Sequence, residues 1–109
     1  MAPILQTIKN RSTFVFIRNK GNFIRGKSID IQLLEDENLK EKILVGYTAT
    51  KRLGTAVFRN KAKRIMRELA KKVILKYGKT NAYYVLIAKN SIFNFSFTEL
   101  EKELKKLIS

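Results

Sequence analysis

The chain has 109 residues, 45% of them hydrophobic with seven Phe and four Tyr, which is enough apolar area for one packed domain and too little length for a comfortable two. It carries 23 Lys and Arg against nine Asp and Glu, and a net charge of +14 attracts polyanions, either nucleic acid or an anionic membrane surface. With no Cys and no His, disulfides, thiolate nucleophiles, imidazole bases and nearly all zinc sites are excluded. A single domain over residues 1–109 is expected, with 1–9, which include the lone Pro3, loosely held. The apolar stretch at the start is too short for a signal peptide and no 18-residue apolar run exists, so the expectation is a soluble, cytoplasmic protein without a membrane partner.

In chain order, residues 11–20 precede Gly21, and the i, i+3 spacing of Phe14 and Ile17 predicts a short helix capped by that glycine, although F-V-F-I also fits a strand. From Phe23 to Leu34 the residues alternate, with Ile29, Ile31 and Leu33 on one face and Ser28, Asp30 and Gln32 on the other, as in a half-buried strand. After the acidic turn at 35–38, residues 42–50 resume that character with Ile43, Val45, Tyr47 and Ala49 on one side, and the two runs are expected to pair as a hairpin. Residues 56–77 carry a helical pattern closed by Gly78, with Phe58, Ala62, Ile65, Leu69 and Val73 as the core-facing stripe. The apolar run at 82–89 reads as a central strand. Ser96 and Glu99 form an S-x-x-E capping box, Phe95 and Leu100 a hydrophobic staple, and Phe97, Leu100, Leu104 and Leu107 the buried side of a last helix. This order defines an α+β fold, one small mixed sheet layered with helices.

Between Lys51 and Lys72, nine Lys and Arg and the single acid Glu68 concentrate +8 of the +14. Arg59, Asn60, Lys63, Arg64, Arg67 and Lys71 fall on the side of the helix roughly opposite the Phe58 and Ile65 stripe. Such a face is self-repelling, whereas a chain seeking only solubility intersperses acids. Arg suits bidentate recognition of phosphate, and Asn60 offers both donors and an acceptor to a base edge or a 2′-hydroxyl. On charge alone, a solvated face and a phosphate-binding face fit equally well.

The residue order goes further. Gly46 to Arg67, G-Y-T-A-T-K-R-L-G-T-A-V-F-R-N-K-A-K-R-I-M-R, resembles the signature of the protein subunit of bacterial ribonuclease P. The matching positions are Thr50, Lys51, Arg52, Gly54, Ala56, Val57, Arg59, Asn60, Lys63, Arg64 and Arg67, and a weaker likeness covers the first helix, the strand ending in Ile87-Ala88-Lys89 and the start of the last helix. The resemblance implies a two-layer α/β sandwich with a left-handed βαβ crossover, a hand opposite to the general rule. It also implies an accessory subunit of a ribozyme whose RNA, with Mg²⁺ held mainly by RNA, removes the 5′ leader of precursor tRNA. Carried over residue by residue, Arg59, Asn60, Lys63, Arg64 and Arg67, then Lys51 and Arg52, would contact the RNA subunit, with Lys71 extending that face. A leader cleft would use Phe14 as a stacking aromatic, the plain core role for Phe14 staying open, and Arg18 and Gln32 where family members often show aromatics; these two suggest a polar or electrostatic leader contact.

Rival readings are a ribosomal-type structural RNA-binding protein, a peripheral membrane protein and a protein-only nuclease. Seven of the nine acids lie in 35–41 or 99–103, leaving only Asp30 and Glu68 elsewhere, a poor basis for a carboxylate metal site. No catalytic residue or obligate protein partner is expected on the chain, and no metal-ligating residue is assigned to it.

Overall fold

A computed structural model describes residues 4–109, and its organising element is a five-stranded sheet in the order β1-β4-β5-β3-β2. The strands are β1 (Ile4–Thr7), β2 (Asn22–Ile24), β3 (Ile29–Glu35), β4 (Lys42–Thr48) and β5 (Ala82–Ala88). The apolar run of β5 is central as expected: it pairs antiparallel with β3 and parallel with β4, so most of its side chains are buried on both faces. β3 and β4 therefore do not form the expected hairpin, because β5 lies between them. Two apolar runs linked by an acidic turn are equally compatible with direct pairing and with a third strand inserted later in the chain.

Two further sequence expectations change. The run from Phe23 to Leu34 breaks into β2 and β3, which fold back on each other with Phe23 opposite Gln32 and Ile24 opposite Ile31. At the break, the Asp30 carboxylate accepts the Gly26 N–H at 3.0 Å, and the Glu103 carboxylate accepts the N–H groups of Lys27 at 2.7 Å and Ser28 at 3.1 Å. Within the segment read as loosely held, residues 4–7 form an edge strand parallel to β4, from Ile4 opposite Lys42 to Thr7 opposite Val45; residues 1–3 lie outside the described residues.

Helices cover both faces of the sheet. On one face, α2 (Ala56–Leu69) and α3 (Phe97–Ile108) enclose the larger core, where Ile31, Val45, Tyr84 and Leu86 meet Met66, Leu69, Leu100 and Leu104. α1 (Arg11–Lys20) packs Ile17 and Phe14 on the other face against Val85, Leu44 and Tyr83. Gly21 closes α1 and Gly78 closes the chain after α2, as read from the sequence, yet with extended rather than left-handed backbone, φ −83° and −72°. At Gly21 the constraint is space, since a Cβ would stand 2.7 Å from the Ile17 carbonyl oxygen and 2.8 Å from that of Leu33.

The buried stripe of α2 is rotated from its expected place. Ala62, Met66 and Leu69 are buried, while Phe58 is 49% exposed and Ile65 only half-buried. Beyond Leu69 the helix continues through a π-turn, Ala70–Ile74, into a last turn, Leu75–Tyr77. Ala70, Val73 and Ile74 of the π-turn are buried, and Lys76 and Tyr77 after it are exposed.

Candidate RNA interface

The rotation of α2 decides how its basic residues are presented. With the core centred nearer Met66, Arg59 and Lys63 sit half-buried on its shoulder, while Asn60, Arg64, Arg67 and Lys71 are exposed. The helix begins after Thr55, which makes no capping hydrogen bond, and its first turn holds no acid. Its exposed N–H groups and positive dipole end add to the cationic field. Of the eight candidate contacts read from the sequence, only Lys71 has an ion-pair partner among the described residues: Glu68, at 3.6 Å, with both side chains more than half exposed. Such an exposed pair contributes little. The Arg59 Nε is buried without a hydrogen-bond acceptor.

Two aromatics hold parts of this surface in place. The Arg67 guanidinium stands 5.9 Å from the centre of the Tyr47 ring, which sits on β4 beside the helix. Burial raises the Tyr47 phenol above its usual pKa, against the opposing pull of Arg67, so it stays a neutral platform at physiological pH. At the outer flank, Lys61 stands 5.7 Å over Phe93, itself edge-on to Phe58 at 5.8 Å between ring centres. That aromatic pairing accounts for Phe58 lying outside the core.

Lys51 and Arg52 lie on a single 3₁₀ turn, Lys51–Leu53, anchored by buried Leu53 and ended by Gly54 at φ +118°, a value L side chains rarely adopt. Arg52 borders a cavity of about 670 Å³ at the ends of β4 and β5, together with Asp30, Thr50, Lys89, Asn90 and Ser91. Lys89 is committed there, donating to the Gly26 carbonyl at 2.7 Å and pairing with Asp30 at 3.3 Å. Arg52 is the cation of that cavity without an ion pair among the described residues.

The three candidates for a leader cleft are separated. β1 stops at Thr7 opposite Val45, and beyond it the edge of β4 opens into a groove of about 390 Å³ lined by Lys9, Arg11, Phe14, Tyr47, Thr48, Ala49 and Lys63. Phe14 is thus brought together with Lys63 of α2. Its ring lies where a Cβ on Gly46 would stand, so glycine at 46 is what lets the aromatic settle onto the sheet. Half-buried in this way, Phe14 both packs on the smaller core and lines the groove. Arg18 is exposed one turn further along α1, and Gln32 is half-buried on β3; neither lines this groove. Gln32 faces Phe23 across the β2–β3 ladder, and Phe23 is 51% exposed. Sequence reading missed Lys9, Arg11, Tyr47 and Phe23. Lys9 and Arg11 meet Tyr47 of β4 only through the fold, and Phe23 lies apart from them on β2, so no local spacing signals these positions.

Fold and surface together define a basic α+β protein in which one side of α2 presents Arg59, Lys63, Arg64 and Arg67 without ion-pair partners among the described residues. No helix among the described residues is long and apolar enough to cross a membrane. A sequence model for the family described as Ribonuclease P matches residues 3–109, and the chain belongs to that family. It is 30% identical to the ribonuclease P protein component of Caulobacter vibrioides over 100 residues, covering 92% of this chain and 66% of that protein. It is 26% identical to the one from a Nitratiruptor species over 106 residues, covering 95% and 90%. Among solved structures, the Staphylococcus aureus RNase P protein superposes with a TM-score of 0.78 at 24% identity, covering 93% of this chain and 90% of that one. The Thermotoga maritima RNase P protein does so with a TM-score of 0.81 at 18% identity, covering 94% of each. These likenesses establish the α+β fold with its mixed five-stranded sheet.

Proposed function

We propose that the chain is the RNA-binding protein subunit of a bacterial ribonuclease P and assists its RNA in removing the 5′ leader from precursor tRNA. The observation that carries this is the coincidence of family membership over residues 3–109 with an α2 face whose arginines, Arg59, Arg64 and Arg67, lack acidic partners among the described residues. Arg59, Asn60, Lys63, Arg64, Arg67 and Lys71 then dock on the RNA subunit, with Lys51 and Arg52 adding phosphate contacts at the helix entrance. A buried donor without an acceptor costs about 1–3 kcal/mol, and a phosphate oxygen drawn in beside Arg59 would relieve it.

The leader lies in the groove beside Phe14, where a base stacks on the ring and Lys9, Arg11 and Lys63 meet its phosphates. Arg18 and Gln32 contribute polar contacts along the same side of the sheet, and exposed Phe23 supplies an aromatic surface next to Gln32. Catalysis rests with the RNA. Mg²⁺ supplies Lewis-acid and nucleophile activation at the scissile phosphodiester. That ion would be held mainly by phosphate oxygens of the RNA. The holoenzyme acts in the cytoplasm, where precursor tRNA is made.

Reconstitution with a ribonuclease P RNA at low Mg²⁺ tests the reading. The protein should stimulate leader cleavage, and Phe14→Ala should weaken binding of precursor tRNA while sparing mature tRNA. No stimulation would favour the ribosomal-type alternative, and an equal loss on both tRNAs would remove the leader from the Phe14 groove.

A further inference from the structure

In sequence, α3 looks electrically balanced, with Glu99, Glu101 and Glu103 against Lys102, Lys105 and Lys106. The fold ties up two of those acids. The Glu99 carboxylate accepts the Ser96 N–H at 2.9 Å to complete the cap, and the Glu103 carboxylate accepts from the backbones of Lys27 and Ser28 and from the buried Ser28 hydroxyl. Glu101 remains.

Beside it, Lys72 of the π-turn and Lys76 and Tyr77 of the last turn lie on the flank that faces α3, away from Arg59. The two helices enclose a groove of about 290 Å³ whose lining includes Lys72, Lys76, Tyr77, Lys102 and Lys105, with Glu101 as its single acid against four lysines. Tyr77 is 44% exposed, with the Lys105 ammonium 4.4 Å and the Lys76 ammonium 5.4 Å from its ring centre. These two cations hold the Tyr77 phenol below its usual pKa. None of the four lysines of the groove has an acid within ion-pair distance among the described residues. An anionic bilayer would need an apolar face to enter it, and Tyr77 is the one large exposed hydrophobic side chain lining the groove. A phosphate backbone needs the reverse, cations spaced around a stacking or cation-binding ring.

We propose that the α2–α3 groove around Tyr77 is a second RNA-binding surface, gripping the backbone of a segment of the catalytic RNA different from the one held by Arg59, Arg64 and Arg67. The inference rests on the ribonuclease P reading and makes the protein a bridge between two RNA segments, with contacts on opposite flanks of one helix.

The test titrates with monovalent salt the complexes that four full-length proteins form with ribonuclease P RNA. They are the unaltered chain, K76Q/K102Q/K105Q, K20Q/K27Q/K40Q as a control that removes equal charge elsewhere, and R59A/R64A/R67A. At about 0.9 per neutralised phosphate, the groove variant should flatten the log–log salt slope by about 2–3, and the control by less than about 1. Circular dichroism should show all four folded. Equal slopes for groove variant and control, with a loss confined to the Arg59 variant, would overturn the groove and leave the α2 reading standing. A loss confined to the groove variant would support the groove and overturn docking through Arg59, Arg64 and Arg67.

Discussion

α2 and α3 lie side by side on the same face of the sheet and share the larger core, yet they are built on opposite terms. α3 has a complete capping box at Ser96 and Glu99, an acid in its first turn and basic residues in its last. α2 has no side-chain cap, no acid in its first turn and one acid, Glu68, along its whole surface. As an isolated helix α3 is favoured by its termini, whereas α2 is opposed by its own charges and depends on Met66, Leu69 and the π-turn residues packed beneath it. The difference teaches which surface is set by folding and which by a partner: α3 places acids where the fold can use them, and α2 omits acids that would have stabilised it.

Removing the packing that α2 depends on should have the largest effect. Leu69→Ala, at a fully buried position, should cost about 2–5 kcal/mol in denaturant unfolding. Gly46→Ala comes next, because its Cβ would occupy the place of the Phe14 ring; a loss of about 1–3 kcal/mol and an impaired preference for leader-bearing tRNA are expected. At the helix starts, Ser96→Ala should cost about 1 kcal/mol, while Thr55→Ala, which removes no side-chain cap bond, should cost only a small fraction of that. Equal losses at the two caps would break the comparison.

The α3 cap should also respond to acid. The Ser96 backbone N–H, then its hydroxyl, hold the Glu99 carboxyl below its usual pKa. Its stabilisation is therefore full above the unfolded carboxyl pKa and fades as pH falls through the lowered folded value, a loss that Glu99→Gln should abolish in a pH series of thermal unfolding. The smallest effect belongs to Lys71→Ala, which removes an exposed pair with Glu68 and should change stability by less than about 0.5 kcal/mol.

Local features were legible where one segment carries the whole signal. The S-x-x-E box, the central apolar strand, and the alternation of Ile29, Ile31 and Leu33 against Asp30 and Gln32 all stand as read. Pairing was less legible: that β5 separates β3 from β4, and that residues 4–7 join the edge, depends on contacts between distant segments. The α2 stripe was read at a constant period, and a π-turn does not announce itself in periodicity. The stripe before that turn is also centred nearer Met66 than the sequence pattern indicates, which puts Arg59 and Lys63 on the shoulder of the core. The basic face of α2 was legible from charge and residue order together. The groove joining Lys9, Arg11, Phe14, Tyr47 and Lys63 was not, because it exists only where β1 ends.

The central claim is that Arg59, Arg64 and Arg67 of α2 serve an RNA and not the fold. The direct measurement is the affinity of R59A/R64A/R67A for ribonuclease P RNA across salt, alongside its unfolding free energy. Affinity at moderate salt should fall by a factor on the order of 10²–10³ and the salt slope flatten by about 2–3, with stability unchanged or raised. Undiminished RNA affinity, or a large loss of stability without one of affinity, would contradict it.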